Sequence, residues 1–298
     1  MRRHSLYILD SKTYCDMKSF ICKIGLFGII CIVLSISLYG VRRYLNSNAD
    51  WSIPQEKHIL VMGASQIVLG FDDSMSKEAY NIASRSERYM YTYLKLKYLL
   101  RDNPQVDTIL LECAPTDLWQ HTDDKYHIEN EQLAFVPLFL PIMGREELAI
   151  FRTEPLQVIS IFVKSLASKK YYKSSSYITL QGGFIEEKQS LDTAQVIPHP
   201  IEGERGWTTN YKYLHKIIAL CKEHNVRLYF VYGPMYHPEY FYDQDFYYQA
   251  YNREFSEVEL LDYSHWPVPY DEMFDAHHLN QKGARRFTLE LMRRLDFE

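Results

Sequence analysis

The sequence has little of what defines several large protein classes. Only 5 of its 298 residues are cysteine, and glycine and proline number 12 each. Together with a hydrophobic content of 47%, this excludes a disulfide scaffold, a collagen-like protein and a disordered chain. Positive charge is not in excess, since the formal net charge is -5. Bulk electrostatics therefore predict no nucleic-acid partner.

Several nucleotide- and metal-binding motifs are also missing. The chain contains no P-loop, no GxGxxG, no HExxH and no CxxC pair, and no Cys/His set has zinc-ligand spacing. We therefore predict neither a metal nor a cofactor. A mean hydropathy of -0.30 excludes a polytopic membrane protein, although such an average can hide a single span.

One long apolar run lies near the N-terminus. The 18 residues from Ile24 to Val41 carry no charge. As a helix rising about 1.5 Å per residue they would span about 27 Å, close to the hydrocarbon thickness of a bilayer. We predict a transmembrane helix over residues 24–41, preceded by a cytoplasmic segment over 1–23. A buried helix of a soluble domain is the alternative, but it would normally carry a polar stripe.

The flanking charges indicate the orientation of this span. Five lysines and arginines precede it: Arg2, Arg3, Lys12, Lys18 and Lys23. Arg42 and Arg43 follow it, and the next Lys or Arg is Lys57. This bias favours a single-pass protein of the cell membrane with an extracytoplasmic body. Ser35 and Ser37 offer a small-x-small cleavage site, but the long leading segment and the two arginines favour an uncleaved signal anchor.

Residues 42–56 form a polar segment that we predict to be a tether. After it, short apolar runs alternate with helical patterns. Five runs are predicted to be strands: Ile59–Met62, Ala79–Ile82, Thr108–Leu111, Val226–Tyr232 and Val258–Leu261. The alternation predicts an α/β domain over residues 57–298, with a mainly parallel five-stranded sheet covered by helices on both faces. Residues 120–205 do not follow this alternation of strands and helices, and we predict that they form a partly helical insertion or cap over the strand ends.

Two groups of residues at predicted strand ends could carry chemistry. Ser65 follows the first strand at a strand-to-helix turn, where a nucleophile would be exposed; a helix N-cap is its alternative role. Asp275 lies three residues before His278, a spacing that lets a carboxylate orient an imidazole through its Nδ1–H. Loop packing is the alternative for His277 and His278, and a metal site lacks a convincing third ligand.

These blocks together resemble the GDSL/SGNH hydrolases, especially their membrane-anchored, envelope-facing relatives such as alginate and cell-wall O-acylation proteins. The resemblance covers about residues 57–296. The sequence GAS at 63–65 stands where the family has Gly-Asp-Ser, and DAHHLN at 275–280 is similar to the family's Asp-x-x-His-Leu-Asn. The resemblance implies a three-layer, flavodoxin-like fold. It also implies a nucleophile, a general base and an orienting acid at Ser65, His278 and Asp275.

The two middle blocks depart from the family's pattern. Ser86 stands where the family's glycine gives an oxyanion-hole N–H, and Thr116 stands where the family has asparagine. With the N–H of Ser65, these residues are the expected oxyanion donors, Thr116 being weaker or differently placed. Loss of one such donor costs about 2.7–4 kcal/mol of transition-state stabilisation. Three further residues are expected to contact the substrate: Arg85, Asp117 and Tyr236.

The chain holds 25 tyrosines, and a cluster of them follows the fourth predicted strand. The cluster consists of Tyr236, Tyr240, Tyr242, Tyr247, Tyr248 and Tyr251. Flat aromatic faces with a polar edge suit sugar rings, so the cluster indicates a glycan-facing loop. The alternative is that the cluster merely reflects the high tyrosine content, because tyrosine is frequent throughout the chain.

Two functions follow as hypotheses. The first is an anchored serine esterase or O-acyltransferase, with acetyl as the implied acyl group and an envelope polysaccharide as the implied acceptor. The second is a non-catalytic envelope protein of the same fold that binds glycan or a membrane acyl-transfer partner. The departures in the first and middle blocks motivate the second hypothesis.

Overall fold

Five short apolar runs form one parallel sheet in the computed structural model, which describes residues 3–118, 135–151, 155–166, 182–197, 209–240 and 243–297. The strands are β1 (Ile59–Met62), β2 (Ala79–Asn81), β3 (Thr108–Glu112), β4 (Arg227–Tyr232) and β5 (Glu259–Asp262). All pairings are parallel, in the order β2-β1-β3-β4-β5. Each strand lies within one residue of its predicted bounds, so the predicted α/β fold with a five-stranded parallel sheet is confirmed.

Helices cover both faces of the sheet. The helices of the described residues, including those that do not lie on the sheet, are α1 (Arg3–Ser47), α2 (Ser65–Gly70), α3 (Tyr89–Asp102), α4 (Pro115–Leu118), α5 (Val136–Phe139), α6 (Arg145–Ile150), α7 (Pro155–Leu166), α8 (Thr209–Glu223), α9 (Gln244–Glu254) and α10 (Gln281–Leu295). Short 3-10 turns occur at Asp73–Met75, Leu140–Ile142, Thr193–Gln195, Pro238–Tyr240 and Tyr270–Glu272. Helices α3 and α8 pack on one face, and α2 and α10 pack on the other.

The pleat of the strands explains this layering. Leu60 and Met62 of β1 belong to the core beneath α3 and α8, whereas Val61 belongs to the core beneath α2 and α10. All four residues of β1 and all five of β3 are buried. Apolar side chains on both faces are typical of a parallel sheet between two helix layers. This arrangement makes the predicted three-layer, flavodoxin-like architecture.

The strand order creates a crevice at the carboxyl end of the sheet. From β1 the chain crosses to β2 on one side, and it later returns to β3 on the other side of β1. In open parallel sheets such a reversal is where ligands bind, beyond the carboxyl ends of the two strands. Ser65 follows β1 and Glu112 ends β3, so both residues lie at this point.

Helix α1 projects an apolar surface that the rest of the protein does not cover. Its part from Met17 to Ser47 is long and apolar enough to cross a membrane, and none of its most apolar window is buried. Each large apolar side chain left in water forgoes about 1.5–3 kcal/mol of burial free energy. The helix therefore could serve as a single membrane span, as the sequence predicts.

The segment predicted as a tether, residues 42–56, is packed against the domain instead. The first six of these residues continue α1. Arg42 is fully buried and donates to the carbonyl oxygen of Pro137. Trp51 is also fully buried and stacks on Tyr98, with the ring centroids 5.3 Å apart. The segment is polar on average, but Ala49, Trp51 and Ile53 are buried, so composition alone suggests a tether where part of the segment packs on the domain.

The predicted insertion over residues 120–205 is described only in part. Its described helices α5, α6 and α7 agree with the partly helical prediction, and α5 packs against α1 and α7. Residues 182–191, hereafter the crossing segment, run in extended form past α2, the loop after β2 and α10. Residues 120–134, 152–154, 167–181 and 198–205 lie outside the described part of the chain, and the bounds of the insertion stay a prediction.

A buried ion pair fixes the loop that follows β2. The side chains of Lys95 and Glu87 are wholly buried, and Lys95 Nζ lies 2.6 Å from Glu87 Oε2. Lys95 also donates to the carbonyl oxygen of Ile82 at 2.5 Å, and Thr92 Oγ1 donates to Glu87 Oε1 at 2.7 Å. Burial raises the pKa of Glu87 to about 7 and lowers that of Lys95. The pair ties residues 82–88 to α3.

We expect Lys95→Met to reduce the free energy of unfolding by about 3–5 kcal/mol, because it leaves a buried carboxylate without its partner. Chemical denaturation of the full chain in detergent micelles measures this loss. Lys97→Met is the matched control, since Lys97 is exposed on the same helix, and it should change stability by about 0.5 kcal/mol or less. Equal stability of the two variants would contradict the prediction.

Candidate active site

The turn after β1 is built around one glycine. Gly63 has φ of 138°, and a Cβ at this position would come 2.3 Å from Glu112 Cβ. Only glycine combines this backbone conformation with so close an approach. Ala64 then occupies the N-cap position and Ser65 is the first residue of α2. The N-cap alternative for Ser65 therefore does not hold, and its hydroxyl is free to point towards the C-terminal loop.

Ser65, His278 and Asp275 form a continuous chain of hydrogen bonds. Ser65 Oγ lies 2.7 Å from His278 Nε2. On the other side of the imidazole, His278 Nδ1 lies 2.8 and 2.9 Å from the two carboxylate oxygens of Asp275. A carboxylate can only accept, so Nδ1 carries the proton and Nε2 is left to accept from the serine hydroxyl. The sequence predicts these three residues as a group, and the structure brings them together across 213 positions of the chain.

The loop that carries Asp275 and His278 closes on itself. The N–H of Phe274 donates to the carbonyl oxygen of His278 at 2.8 Å. The N–H of His277 donates to Asp275 Oδ1, also at 2.8 Å. Burial raises the pKa of Asp275, but the hydrogen bond from His278 and the charges of His278 and His277 outweigh it, so the pKa lies below its usual value. Asp275 is thus held as the ionised partner of the imidazole.

Helix α10 fixes the end of this loop. Asn280 is its N-cap, and its side-chain oxygen accepts from the N–H groups of Lys282 and Gly283. The Asn280 amide in turn donates to the carbonyl oxygen of Asp271 at 2.8 Å. A Cβ on Gly283 would come 2.2 Å from the carbonyl oxygen of Glu272, so glycine is needed there for the helix to approach the loop. The HLN-x-x-G pattern therefore has a local structural reason.

The residues expected to form an oxyanion hole lie at the neighbouring strand ends. Ser86 follows β2 and has φ of 59°, a left-handed conformation that a non-glycine residue adopts at a cost of about 1–3 kcal/mol. Its loop touches the nucleophile turn, because Ser84 N–H donates to the carbonyl oxygen of Gly63 at 3.1 Å. Thr116 lies in α4 directly after β3. Their roles as donors, together with the N–H of Ser65, stay a prediction.

The three residues expected to contact substrate have different environments. Arg85 is exposed and paired with Glu187 at 2.5 Å. Tyr236 is half-buried, and its N–H donates to the carbonyl oxygen of Ala276 at 2.9 Å, which places it beside the Asp275 loop. Asp117 is buried instead of open to a ligand.

The burial of Asp117 has a structural explanation. Its Oδ2 accepts from the N–H of Ala114 at 2.9 Å, so the side chain closes the turn after β3. Burial raises the pKa of this carboxyl to about 6. Asp117 therefore departs from the expected substrate contact, because the sequence does not reveal that this carboxylate points inward.

The tyrosine cluster is mostly part of the core. Tyr247 is fully buried, with its hydroxyl donating to the carbonyl oxygen of Cys113 at 2.7 Å. Tyr251 donates to the carbonyl oxygen of Val258 at 2.7 Å. Tyr242 lies outside the described residues, and Tyr240 is exposed. The interpretation of the whole cluster as a glycan-facing loop is therefore not supported, and the frequent tyrosines serve packing.

Glu112 is a site residue that the sequence analysis missed. It ends β3 with its side chain buried beneath the nucleophile turn, and its Oε2 accepts from the N–H of Ile67 at 3.0 Å. Burial, and then the charge of Asp117, raise the pKa of Glu112 to about 8, while the N–H groups of Ile67, Ala64 and Gln66 oppose this shift. A lone acid at the end of the apolar run TILLE is the signal that could have revealed it.

The crossing segment is the second missed feature. The N–H of Gly183 donates to the carbonyl oxygen of Ala83 at 2.9 Å, and the N–H of Ile185 donates to that of Val68 at 3.1 Å. Further along, the carbonyl oxygen of Glu187 accepts from the N–H of Gln281 at 2.7 Å. The segment thus joins the loop after β2, helix α2 and the start of α10. No sequence motif marks it.

Metal chemistry has no support in the described part of the chain. Among those residues, no group of three or more His, Cys, Asp or Glu side chains could hold a metal ion. His277 and His278, the pair considered from the sequence, contact each other only through ring edges, with centroids 6.2 Å apart. The side chains at the site are instead suited to proton transfer and nucleophilic attack.

Comparisons with known proteins add little to this geometry. No family model and no curated protein matches the chain. Among solved structures, a Streptococcus pneumoniae protein provisionally named a platelet activating factor is similar, with 14% identity and a TM-score of 0.42. The match covers 92% of this chain and 99% of that one. At these values we draw no conclusion about function from it.

We expect Glu112 to make the protein less stable as pH rises. Because its pKa is near 8 when folded and 4.5 as an ordinary glutamate, the folded state holds this proton more tightly. The resulting stability is complete below about pH 4.5 and is lost as pH rises through about 8. Glu112→Gln keeps an acceptor oxygen but removes the titration.

The test compares the free energy of unfolding of the two proteins from pH 6 to 8. The contribution of Glu87 is common to both proteins and cancels in the comparison. The charge of Asp117 acts on Glu112, so the difference between the curves reports the titration of Glu112 together with its effect on Asp117. The wild-type protein should lose stability faster, by at most about 1.4 kcal/mol per pH unit, which is the limit for one proton. Parallel curves for the two proteins would refute the role of Glu112.

Proposed function

We propose that the chain is a membrane-anchored serine esterase or O-acyltransferase that uses Ser65, His278 and Asp275. One observation carries the proposal, namely the unbroken hydrogen-bond chain from Ser65 Oγ through the imidazole to the Asp275 carboxylate, with contacts of 2.7 to 2.9 Å. Its location at the carboxyl end of the sheet, where the strand order reverses, adds independent support.

The proposed reaction begins with attack of Ser65 Oγ on an acyl carbonyl carbon. As the bond forms, the serine proton moves to His278 Nε2, and Asp275 stabilises the resulting imidazolium. Collapse of the tetrahedral intermediate expels the alkoxide, which takes the proton from His278 and leaves an acyl-serine. In the second half, water or a sugar hydroxyl gives its proton to His278 and attacks the carbonyl carbon of this ester. Collapse of the second tetrahedral intermediate expels Ser65 Oγ, which takes the proton back from His278, and the acyl group leaves as a free acid or as a sugar ester.

The departures in the oxyanion blocks bear on the rate of this reaction and leave its mechanism unchanged. Residues Ser65 and Ser86 each carry a backbone N–H whatever their side chains, whereas the family's asparagine amide is replaced by the hydroxyl of Thr116. Loss of one donor costs about 2.7–4 kcal/mol. We therefore expect a slow enzyme, with acetyl as the acyl group that the family resemblance implies.

The proposed location is the outer face of the cell membrane. Helix α1 is the anchor, and the excess of basic residues before it supports a cytoplasmic N-terminus. An extracytoplasmic body would meet envelope polysaccharides, which offer the hydroxyl groups that an acyl-serine requires. A membrane acyl-transfer partner is the proposed source of acyl groups when the reaction runs as a transfer.

Labelling with a fluorophosphonate probe tests the proposed nucleophile. The full chain in detergent micelles should form a covalent adduct on Ser65, and Ser65→Ala should abolish it. Asp275→Asn should slow release of p-nitrophenol from p-nitrophenyl acetate by about 10⁴-fold, because the imidazole loses its correct tautomer. Ser256→Ala is the matched control, since Ser256 is exposed and precedes β5 at the opposite edge of the sheet.

The outcome separates the enzyme from a binding protein of the same fold. A folded wild-type chain without probe adduct and without Ser65-dependent ester cleavage would overturn the proposed activity. In cells that need the protein, full complementation by Ser65→Ala would then favour glycan or partner binding as the function.

A further inference from the structure

Helix α7 exposes an apolar stripe that the fold does not use. Leu156, Ile159 and Val163 are 80%, 56% and 47% exposed. Their spacing of three and four residues places them on one face of the helix. The opposite face, which contains Val158 and Phe162, is buried. No charged side chain occurs between Pro155 and Val163, so this face lacks the charges that normally cover an exposed helix.

Contacts with α1 establish where this stripe lies along the anchor. Arg42 and Arg43 mark the end of the predicted span, and both donate to carbonyl oxygens of residues 137–143. Helix α7 contacts α1 on the membrane side of these two arginines, because Phe162 packs edge-on against Tyr39 with the ring centroids 5.8 Å apart. At about 1.5 Å per residue, Tyr39 lies about 6 Å closer to the membrane centre than Arg43. Helix α7 is therefore level with the outer end of the span.

We infer that the exposed face of α7 lies in the lipid headgroup and outer acyl region, beside the anchor. The inference rests on α1 being a membrane span, as proposed above. Interfacial helices bury an apolar face about 5–10 Å into this region, and α7 combines such a face with the matching position on α1. The packing of α7 on the anchor favours lipid over a soluble partner as the occupant, because Phe162 on another face of α7 contacts Tyr39 and Arg42 of a helix whose own apolar surface is uncovered.

Arg42 links the two membrane contacts to the folded body. Its guanidinium carbon lies 5.3 Å from the centre of the Phe162 ring, and its side chain is fully buried between α1 and residues 137–162. Because α1 is packed against the body, a single span fixes the body on the anchor but leaves the tilt of the whole molecule against the bilayer free. A second contact through α7 would fix the face of the body that meets the membrane, and with it the direction in which the crevice opens.

Photo-crosslinking of the full chain tests this inference. The photoreactive residue p-benzoylphenylalanine replaces Leu156, Ile159 or Val163, one at a time, in protein reconstituted into nanodiscs of phosphatidylcholine and phosphatidylglycerol. Irradiation should give lipid adducts at all three positions, seen by intact mass, in yields that approach the yield at Ile30 within the span. Leu289, an exposed apolar residue on α10, is the matched control and should give no lipid adduct.

The arms of the experiment distinguish failure of the inference from failure of the anchor. Lipid adducts at Ile30 but at none of the three α7 positions would overturn the inference and leave the anchor intact. No lipid adduct at Ile30 would overturn both. The same variants irradiated in cell membranes reveal the competing occupants. A discrete protein adduct, or an adduct to another peptide of this chain, in place of lipid would assign the stripe to a protein contact.

Discussion

The close approach of the turn after β1 to the end of β3 is the constraint on which the site depends. Gly63 allows the two backbones to come together, and Glu112 then accepts from N–H groups of the turn beneath Ser65. Without this approach the serine would not stand at the crevice. A buried carboxyl is costly unless it is hydrogen-bonded or neutral, and Glu112 is stabilised in both ways. The position of Ser65 thus depends on a carboxyl group buried beneath its turn.

The serine and the histidine are aligned by the layer of helices behind them. Helices α2 and α10 pack on the same face of the sheet, and Thr288 Oγ1 of α10 accepts from the N–H of Asp72, just after α2, at 2.9 Å. The crossing segment adds hydrogen bonds to both helices. The distance of 2.7 Å between Ser65 and His278 is therefore set by several contacts outside the two residues, as precise positioning requires.

The features of the fold and site that depend on local sequence pattern could be predicted from the sequence. The strands follow from apolar runs, and the pairing of Asp275 with His278 follows from a spacing of three residues. Features that depend on contacts between distant parts of the chain could not be predicted in this way. The burial of Trp51 against Tyr98 and the path of the crossing segment past Arg85 are set by neighbours about 50 to 100 residues away. The inward direction of Asp117 depends on a local hydrogen bond to Ala114, which the polarity of the residue does not reveal. Polarity alone does not tell whether such a residue faces solvent or a buried partner.

Exposed apolar surface and charged loops are separated in the described part of the chain. Helix α1 and the stripe of α7 carry no charge on their exposed apolar faces, whereas the loops around Ser65 hold the ion pair of Arg85 with Glu187 and the Asp275–His278 pair. These loops lie at the carboxyl end of the sheet, whereas α1 packs against α5 and α7. Under the proposed function, the apolar contacts would orient the body at the membrane while the polar end stays hydrated for the acceptor.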